Sequence, residues 1–303
     1  ALVIALMASG LEKGDEVIVP SHTFVASAAS MHFAGGTPVF AECGSDHMLD
    51  SMSVEKMISE KTKMIMPVQL NGRTCDMFSL QKIADKHDLL IVEDAAQALG
   101  SKYKGRFAGT FGVAGTFSFY PAKLLGCFGD GGAVVTNDDV VANKISMLRD
   151  HGRGSDGEVE FWGFNARLDN IQAALLDFKL KSYGEVINRR REIAKLYDDQ
   201  LRSISSVKLP PCPGGSDHFD VFQNYEIEAD QRDDLCEYLK DSGVHTILQW
   251  GGKGVHQFKS LGFDTKLPVT EKMMSQFVLL PINVSLSNDD VDYVCRKIKN
   301  FYQ

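Results

Sequence analysis

Two short stretches carry residues whose types and spacing suit chemistry. An apolar run, LLIV at residues 89–92, ends in Glu93 and Asp94 and continues AAQ, which places Gln97 three residues after Asp94. A second run, GTFSF at residues 115–119, carries Ser118 and leads through Tyr120 and Pro121 to Lys123. Each run has the length and composition of a buried strand. In open α/β sheets, ligands sit beyond the carboxyl ends of the strands, so these tips would bring a carboxylate and an amine over one sheet edge. Pyridoxal 5'-phosphate (PLP) needs that pair. A lysine binds the cofactor aldehyde as an imine, and an acid keeps the pyridine nitrogen protonated so that the ring accepts electrons. The lysine attacks only when neutral, and desolvation favours that form by lowering its pKa. Ser118, five residues before Lys123, is placed to donate to a phosphate, and the glycines of GCFGDGG at residues 126–132 permit a tight turn beside the site.

Each residue also has a plainer reading. Asp94 and Gln97 have the spacing of a helix-capping box in an Asp/Gln variant, and spacing alone favours that reading. A lone lysine in a loop is ordinarily solvated, and the glycine run fits a hairpin. Joint placement at strand ends is what favours the chemistry.

The elements that must position these residues follow from the rest of the pattern. Strands are expected at residues 16–19, 38–40, 64–68, 89–92, 115–119 and 133–136. Helical spacing recurs between several of them, at residues 23–33, opened by the cap Ser21, and at residues 79–87. Such alternation predicts an α/β fold, a mostly parallel central sheet with helices on both faces. Residues 167 to about 203 read as a long connecting helix. The Pro- and Gly-rich segment VKLPPCPGGSDH then marks a boundary near residue 205, giving a large domain at 1–204 and a small α+β domain at 205–303. Within the latter, FQNYEIEA, a helix at 230–242, a strand near 245–249 and a final helix at 287–302 are expected.

Composition narrows the function classes. A net charge of -8 leaves no basic excess to neutralise a nucleic-acid backbone. The six cysteines are scattered singly, with no CxxC pair and no zinc spacing, as expected of reduced thiols in a cytoplasmic protein without a metal site. The opening ALVIALMASGL lacks a basic segment before it and is too short to span a bilayer, so no membrane association is expected. It reads as the end of a helix, with a preceding piece expected. No GxGxxG follows the first strand, which argues against a nicotinamide-dependent oxidoreductase.

The run VEDAAQALGSKYKGRFAGTFGVAGTFSFYPAKLLGCFGDGGAVVTND closely resembles the DegT/DnrJ/EryC1/StrS family of PLP-dependent aminotransferases. So do GDEVIVPSHTFVAS, MPVQLNGR, RDHGR and GFNARLDNIQAALL, in order over residues 1–200. The resemblance implies the PLP-transferase fold type I and a reaction on nucleotide-linked keto sugars, as in antibiotic or polysaccharide sugar biosynthesis. It also implies residue roles. Lys123 would hold PLP as a Schiff base and then move the proton between cofactor and substrate carbon. Asp94 would pair with the pyridine nitrogen, Gln97 would lie beside the ring and its hydroxyl, Ser118 would hold the phosphate, and Phe24 would stack on the ring. Asn165 would reach the phosphate of the neighbouring subunit's cofactor, so a homodimer with shared active sites is implied. The plainer readings are a core aromatic for Phe24 and a helix cap for Asn165. Relatives also carry a Gly/Ser-Thr phosphate-binding turn immediately before the residues that align with Ala1 and Leu2.

Some relatives that dehydrate sugars have histidine where this chain has Lys123, so the lysine implies transamination, with glutamate as amino donor. For the substrate, Tyr120 and His151 are candidates near the lysine, with His151 fitting a packed histidine equally well. The segment QWGGKGVHQF resembles the region where relatives contact the substrate, which implies Lys253 and His256 as candidates for a diphosphate or sugar hydroxyl, against a surface turn as the plainer reading. The alternatives are a PLP-fold sugar-nucleotide dehydratase and a non-catalytic protein that binds the cofactor.

Overall fold

The computed structural model describes residues 1–213 and 217–303, so part of the Pro/Gly-rich segment, residues 214–216, lies outside the described residues. The first half of the chain runs α1 (Leu2–Ala8), β1 (Glu16–Pro20), α2 (Val25–Phe33), β2 (Thr37–Ala41), α3 (Ser51–Met57), β3 (Thr62–Ile65), α4 (Met77–His87) and β4 (Leu90–Asp94). It continues with the short β5 (Lys102–Tyr103) and β6 (Arg106–Phe107), then β7 (Ala114–Ser118), β8 (Gly132–Val135) and α5 (Asp139–Leu148). The central sheet has the order β2-β1-β3-β4-β7-β8. Its first five strands are parallel, and β8 is antiparallel to β7. Val17, Ile18 and Val19 are each 0% exposed. Successive strand side chains point to opposite faces, so both faces of the sheet are covered, as the alternation of elements predicted.

Several local expectations differ from the structure. The strand expected at 64–68 stops at Ile65, because Pro67 has no N–H to continue the ladder. Val68 still bridges Asp94. Asp94 caps no helix: it is the last residue of β4, and turns follow it. Ser21 does not cap α2, whose N-cap is Phe24. The long connecting helix is two helices, α6 (Asn170–Leu180) and α7 (Tyr183–Leu201). The strand expected near 245–249 is reduced to one bridge, Ile247 with Leu279, before Trp250 turns the backbone to a φ of 51°.

After α7 come β9 (Val207–Lys208), β10 (His218–Phe219), β11 (Tyr225–Ala229), α8 (Arg232–Asp241), α9 (Pro268–Gln276), β12 (Phe277–Leu280) and α10 (Asn288–Tyr302). The antiparallel sheet β12-β11-β9 carries a second core. There, Ile193, Tyr197 and Leu201 of α7 pack with Tyr225, Ile227, Leu235 and Val294. Earlier residues of the same helix, Tyr183 and Ile187, pack on Leu125, Cys127 and Val221. The change of core therefore falls inside α7, and α7 joins the two halves rather than preceding a free linker. Residues just before β11 also return to the first half, since β10 pairs with β5 and the Val221 amide donates to the Gly72 carbonyl at 2.9 Å. Among the described residues no helix is long and apolar enough to cross a membrane.

Candidate active site

β4 and β7 are adjacent and parallel, with Asp94 opposite Thr116. The register explains why Asp94 and Ser118 emerge at the same sheet edge, with Lys123 on the turn beyond. Asp94 is 5% exposed. Its Oδ2 accepts from the Ser27 hydroxyl at 2.7 Å and its Oδ1 from the Ala96 amide at 3.2 Å. The Ser27 hydroxyl in turn meets the Thr23 hydroxyl at 2.7 Å. Burial pushes the Asp94 carboxyl above its ordinary range, and the donors from Ser27 and Ala96 and the charge of Lys123 pull it back. Burial likewise lowers the Lys123 amine, opposed by the charge of Asp94. Each group therefore feels the other, and each is driven toward its neutral form.

This electrostatic state fits a PLP ring. A neutral Lys123 is a nucleophile for an aldehyde. A buried Asp94 without a full ion pair is relieved by a heterocyclic N–H⁺, which would favour its charged form. Gln97 is half-buried, and its Oε1 accepts from the Asn71 amide at 2.7 Å. That bond commits the oxygen, leaving the side-chain NH2 as the donor end. Ser118 is half-buried, with its hydroxyl accepting from the Tyr120 amide at 3.3 Å, so its proton remains available.

The remaining candidates divide. Phe24 is 56% exposed and Tyr120 is 53% exposed, so neither is a core aromatic. Asn165 is exposed and bridges Asp150 rather than capping α6, whose N-cap is Asp169. His151 is exposed at a φ of 62°, so it is not a packed histidine. Lys253 is exposed. His256 departs from the expectation: it is buried, with Nδ1 2.5 Å from the Ser21 hydroxyl and Nε2 3.0 Å from Glu271. Both ring nitrogens are engaged, and the imidazole ties the approach to α2 to α9, leaving no nitrogen free for a substrate.

Other residues at the site carried no expectation. Glu93, beside Asp94 but pointing to the opposite face, is fully buried and accepts from Gln69 at 2.8 Å and from the amides of Gly109, Phe111 and Gly112 at 2.7, 2.5 and 3.0 Å. Burial raises its carboxyl and these four donors oppose the shift, so Glu93 serves to fold the 109–112 loop onto β4. Ser27, which orients Asp94, sits four residues after Thr23. That helical spacing of two hydroxyls was the available signal. Asn71 and Gln223, which touch Gln97 and the lysine turn, gave no local signal.

Residues 1–299 match the DegT/DnrJ/EryC1/StrS aminotransferase family. A dTDP-3-amino-3,4,6-trideoxy-alpha-D-glucose transaminase of Streptomyces venezuelae is 40% identical over 291 residues, spanning 94% of this chain and 76% of that protein. The crystal structure of S. venezuelae DesV in complex with a ketimine intermediate is similar with a TM-score of 0.94 at 38% identity, over 100% of this chain and 82% of that one. The structure of NtdA from Bacillus subtilis with bound cofactor PMP is similar with a TM-score of 0.91 at 29% identity, over 99% of this chain and 70% of that one. With the family match running over residues 1–299 and a relative 40% identical across 94% of this chain, the chain belongs to the DegT/DnrJ/EryC1/StrS aminotransferase family.

Proposed function

We propose that this aminotransferase moves an amino group from glutamate to the keto carbon of a nucleotide-linked deoxy sugar, with PLP held between Asp94 and Lys123. The observation that carries the reading is the pair itself: a buried carboxylate and a half-buried amine at neighbouring strand tips, each within reach of the other's charge. The transaminase name of the S. venezuelae relative and the PMP bound to the B. subtilis structure support it. When bound, PLP supplies an electron sink for the charge that develops at the substrate carbon.

The chain's own residues supply the rest. Lys123 would hold the cofactor through its aldehyde and, once free, would serve as the base and acid that moves a proton between the substrate carbon and the cofactor. Asp94 would keep the pyridine nitrogen protonated, and Ser27 holds Asp94. Gln97 would donate to the ring hydroxyl, Ser118 to the phosphate, and Phe24 would supply the aromatic face for the ring. Tyr120, His151 and Lys253 are exposed and remain the substrate-side candidates.

A homodimer with Asn165 reaching the neighbouring site is supported by a run of exposed apolar side chains, including Tyr120, Phe128, Trp162, Ile171 and Phe178. Phe128 and α6 form one surface, because Gln172 bonds both the amide and the carbonyl of Phe128 at 2.8 and 3.0 Å. Exposed apolar surface of this kind marks an interface. The six cysteines are all free, which supports a reducing, cytoplasmic setting. The division into a large half at 1–204 and a small half at 205–303 is retained, with α7 shared by their two cores.

The test is a half-reaction. Protein loaded with PLP and given glutamate alone should yield 2-oxoglutarate and pyridoxamine 5'-phosphate in equal amounts. Bound PLP that glutamate leaves unchanged would instead favour the non-catalytic binding role.

A further inference from the structure

Lys123 sits on a turn with little support of its own. Pro121 and Ala122 are exposed; the Lys123 amide donates to the Tyr120 carbonyl at 2.8 Å, and the base of the turn is tied by the Cys127 amide donating to the Phe119 carbonyl at 2.8 Å. What holds the peptides flanking Lys123 comes from far along the chain. The buried Gln223 accepts from the Leu124 amide through Oε1 at 2.9 Å and donates to the Ala122 carbonyl through Nε2 at 2.9 Å, across sequence separations of 99 and 101 residues. One side-chain amide thereby holds the peptide groups on both sides of Lys123. The partners dictate which end is oxygen, since the reverse orientation would face oxygen to carbonyl and N–H to N–H.

The anchor itself is firmly held. The Arg190 guanidinium donates to the carbonyls of Phe222 and Gln223, both at 2.9 Å. Gly72, at a φ of 91°, packs so closely that a Cβ there would lie 2.7 Å from the amides of Phe222 and Gln223. A rigid strap therefore grips an open turn. The strap's next residue continues the pattern: Asn224 donates to the Asn71 side chain at 2.8 Å, and the Asn71 amide holds Gln97.

We propose that Gln223 is a positioning residue for amino transfer: by bridging the Ala122 carbonyl and the Leu124 amide, it fixes the direction in which the Lys123 stem leaves the backbone toward Asp94. The proposal rests on Lys123 being the reacting amine. Its physical basis is that proton transfer and imine formation depend steeply on placement, with about 1 Å of misplacement costing roughly 100-fold in rate.

Two variants test it. Gln223→Ala removes both bonds. Gln223→Glu keeps the shape and the acceptor for Leu124 but sets an oxygen against the Ala122 carbonyl, so it separates packing from the two-sided bond. Hydrogen exchange in the cofactor-free protein should show residues 119–127 losing about tenfold in protection in both variants, with the second core unchanged. In the PLP-loaded protein, kcat for the glutamate half-reaction should fall by roughly 10- to 100-fold, with KM for glutamate within about threefold. Unchanged protection of 119–127 in either variant, or a loosened turn with unchanged kcat, would overturn the proposal. So would a Glu variant that behaves as the native protein. A native protein that protects the turn but transfers no amino group would count against the functional reading and leave the clamp standing.

Discussion

Two buried sets of charged groups behave in opposite ways. At the strand tips, burial dominates and pushes Asp94 and Lys123 toward their neutral forms. Between the first half and β11, His22 Nε2 lies 3.3 Å from Glu226 Oε2, and His47 lies 3.4 Å from Glu226 and 2.8 Å from Glu228. There burial is overcome. It works against the charged His22, but Glu226, helped by Cys43, raises His22 to about 9. Burial opposes ionisation of Glu226 too, yet His22 and His47 lower it to about 2. The second set pairs its opposite charges at 2.8–3.4 Å and braces the interface. In the first, the charge of Lys123 offsets only part of the burial of Asp94, and a bound heterocyclic cation would complete it. Incomplete neutralisation at a strand tip, rather than charge burial as such, is what separates a site from a strut here.

That contrast fails most visibly if the largest expected effect is absent. Lys123→Ala should lower amino transfer by at least about 10⁴-fold, because nucleophile and proton carrier are lost together. Its melting temperature should stay close to the native value, since the deleted amine is one that burial disfavours. Retained turnover would end the assignment, and a collapse of the melting temperature would make Lys123 part of a strut instead.

Glu226→Gln should show the mirror image. Removing one partner of a buried ion pair leaves the other charge uncompensated, at a cost of about 3–5 kcal/mol. In a chain of this size that is a drop on the order of 10 °C in melting temperature. Turnover at 25 °C should remain within several-fold of native.

The pH dependence sharpens the same point. His22 moves from 6.5 to about 9 on folding, so its contribution is full below pH 6.5 and is lost as pH rises toward 9. Glu226 moves from 4.5 to about 2, so its contribution is full above pH 4.5 and is lost as pH falls toward 2. Native protein should therefore lose stability between pH 6.5 and 9, and the Gln variant should lose much less over that interval. Parallel melting curves for the two across it would mean that the cluster is not the ion pair described.

The same contrast separates what was legible in the sequence from what was not. The sheet strands are legible because continuous apolar runs bounded by turns have one good solution, and the grouping of Asp94, Ser118 and Lys123 at one sheet edge is legible because the first two end adjacent strands and the third lies on the turn beyond. Spacing misled where context decides. Asp94 with Gln97 imitates a capping box, yet the backbone after β4 turns instead of coiling. The resemblance points to His256 as a substrate contact, but its ring is taken up by Ser21, 235 residues away, and by Glu271. Gln223 reaches the lysine turn across about 100 residues in the same manner. Hydrogen bonds between remote loops leave no period and no local propensity, so their geometry has to be seen.

The smallest expected effect tests how finely the strand-tip site is tuned. Ser27 donates to Asp94 Oδ2 at 2.7 Å, and Asp94 has one other donor on it, the Ala96 amide at 3.2 Å. Ser27→Ala removes the shorter of the two bonds, and a hydrogen bond to a charged group is worth about 1.5–3 kcal/mol. The charged carboxylate loses that support and the neutral form does not, so the Asp94 pKa rises further. Amino transfer needs the carboxylate charged. Its acid limb should therefore move to higher pH, with about a tenfold loss of kcat near neutrality. Folding should lose about 1–3 kcal/mol, because the buried Thr23 hydroxyl is left without its partner. A profile whose acid limb does not move, with kcat within twofold of native, would show that Asp94 is held by its burial alone and that the hydroxyl chain from Thr23 through Ser27 is packing.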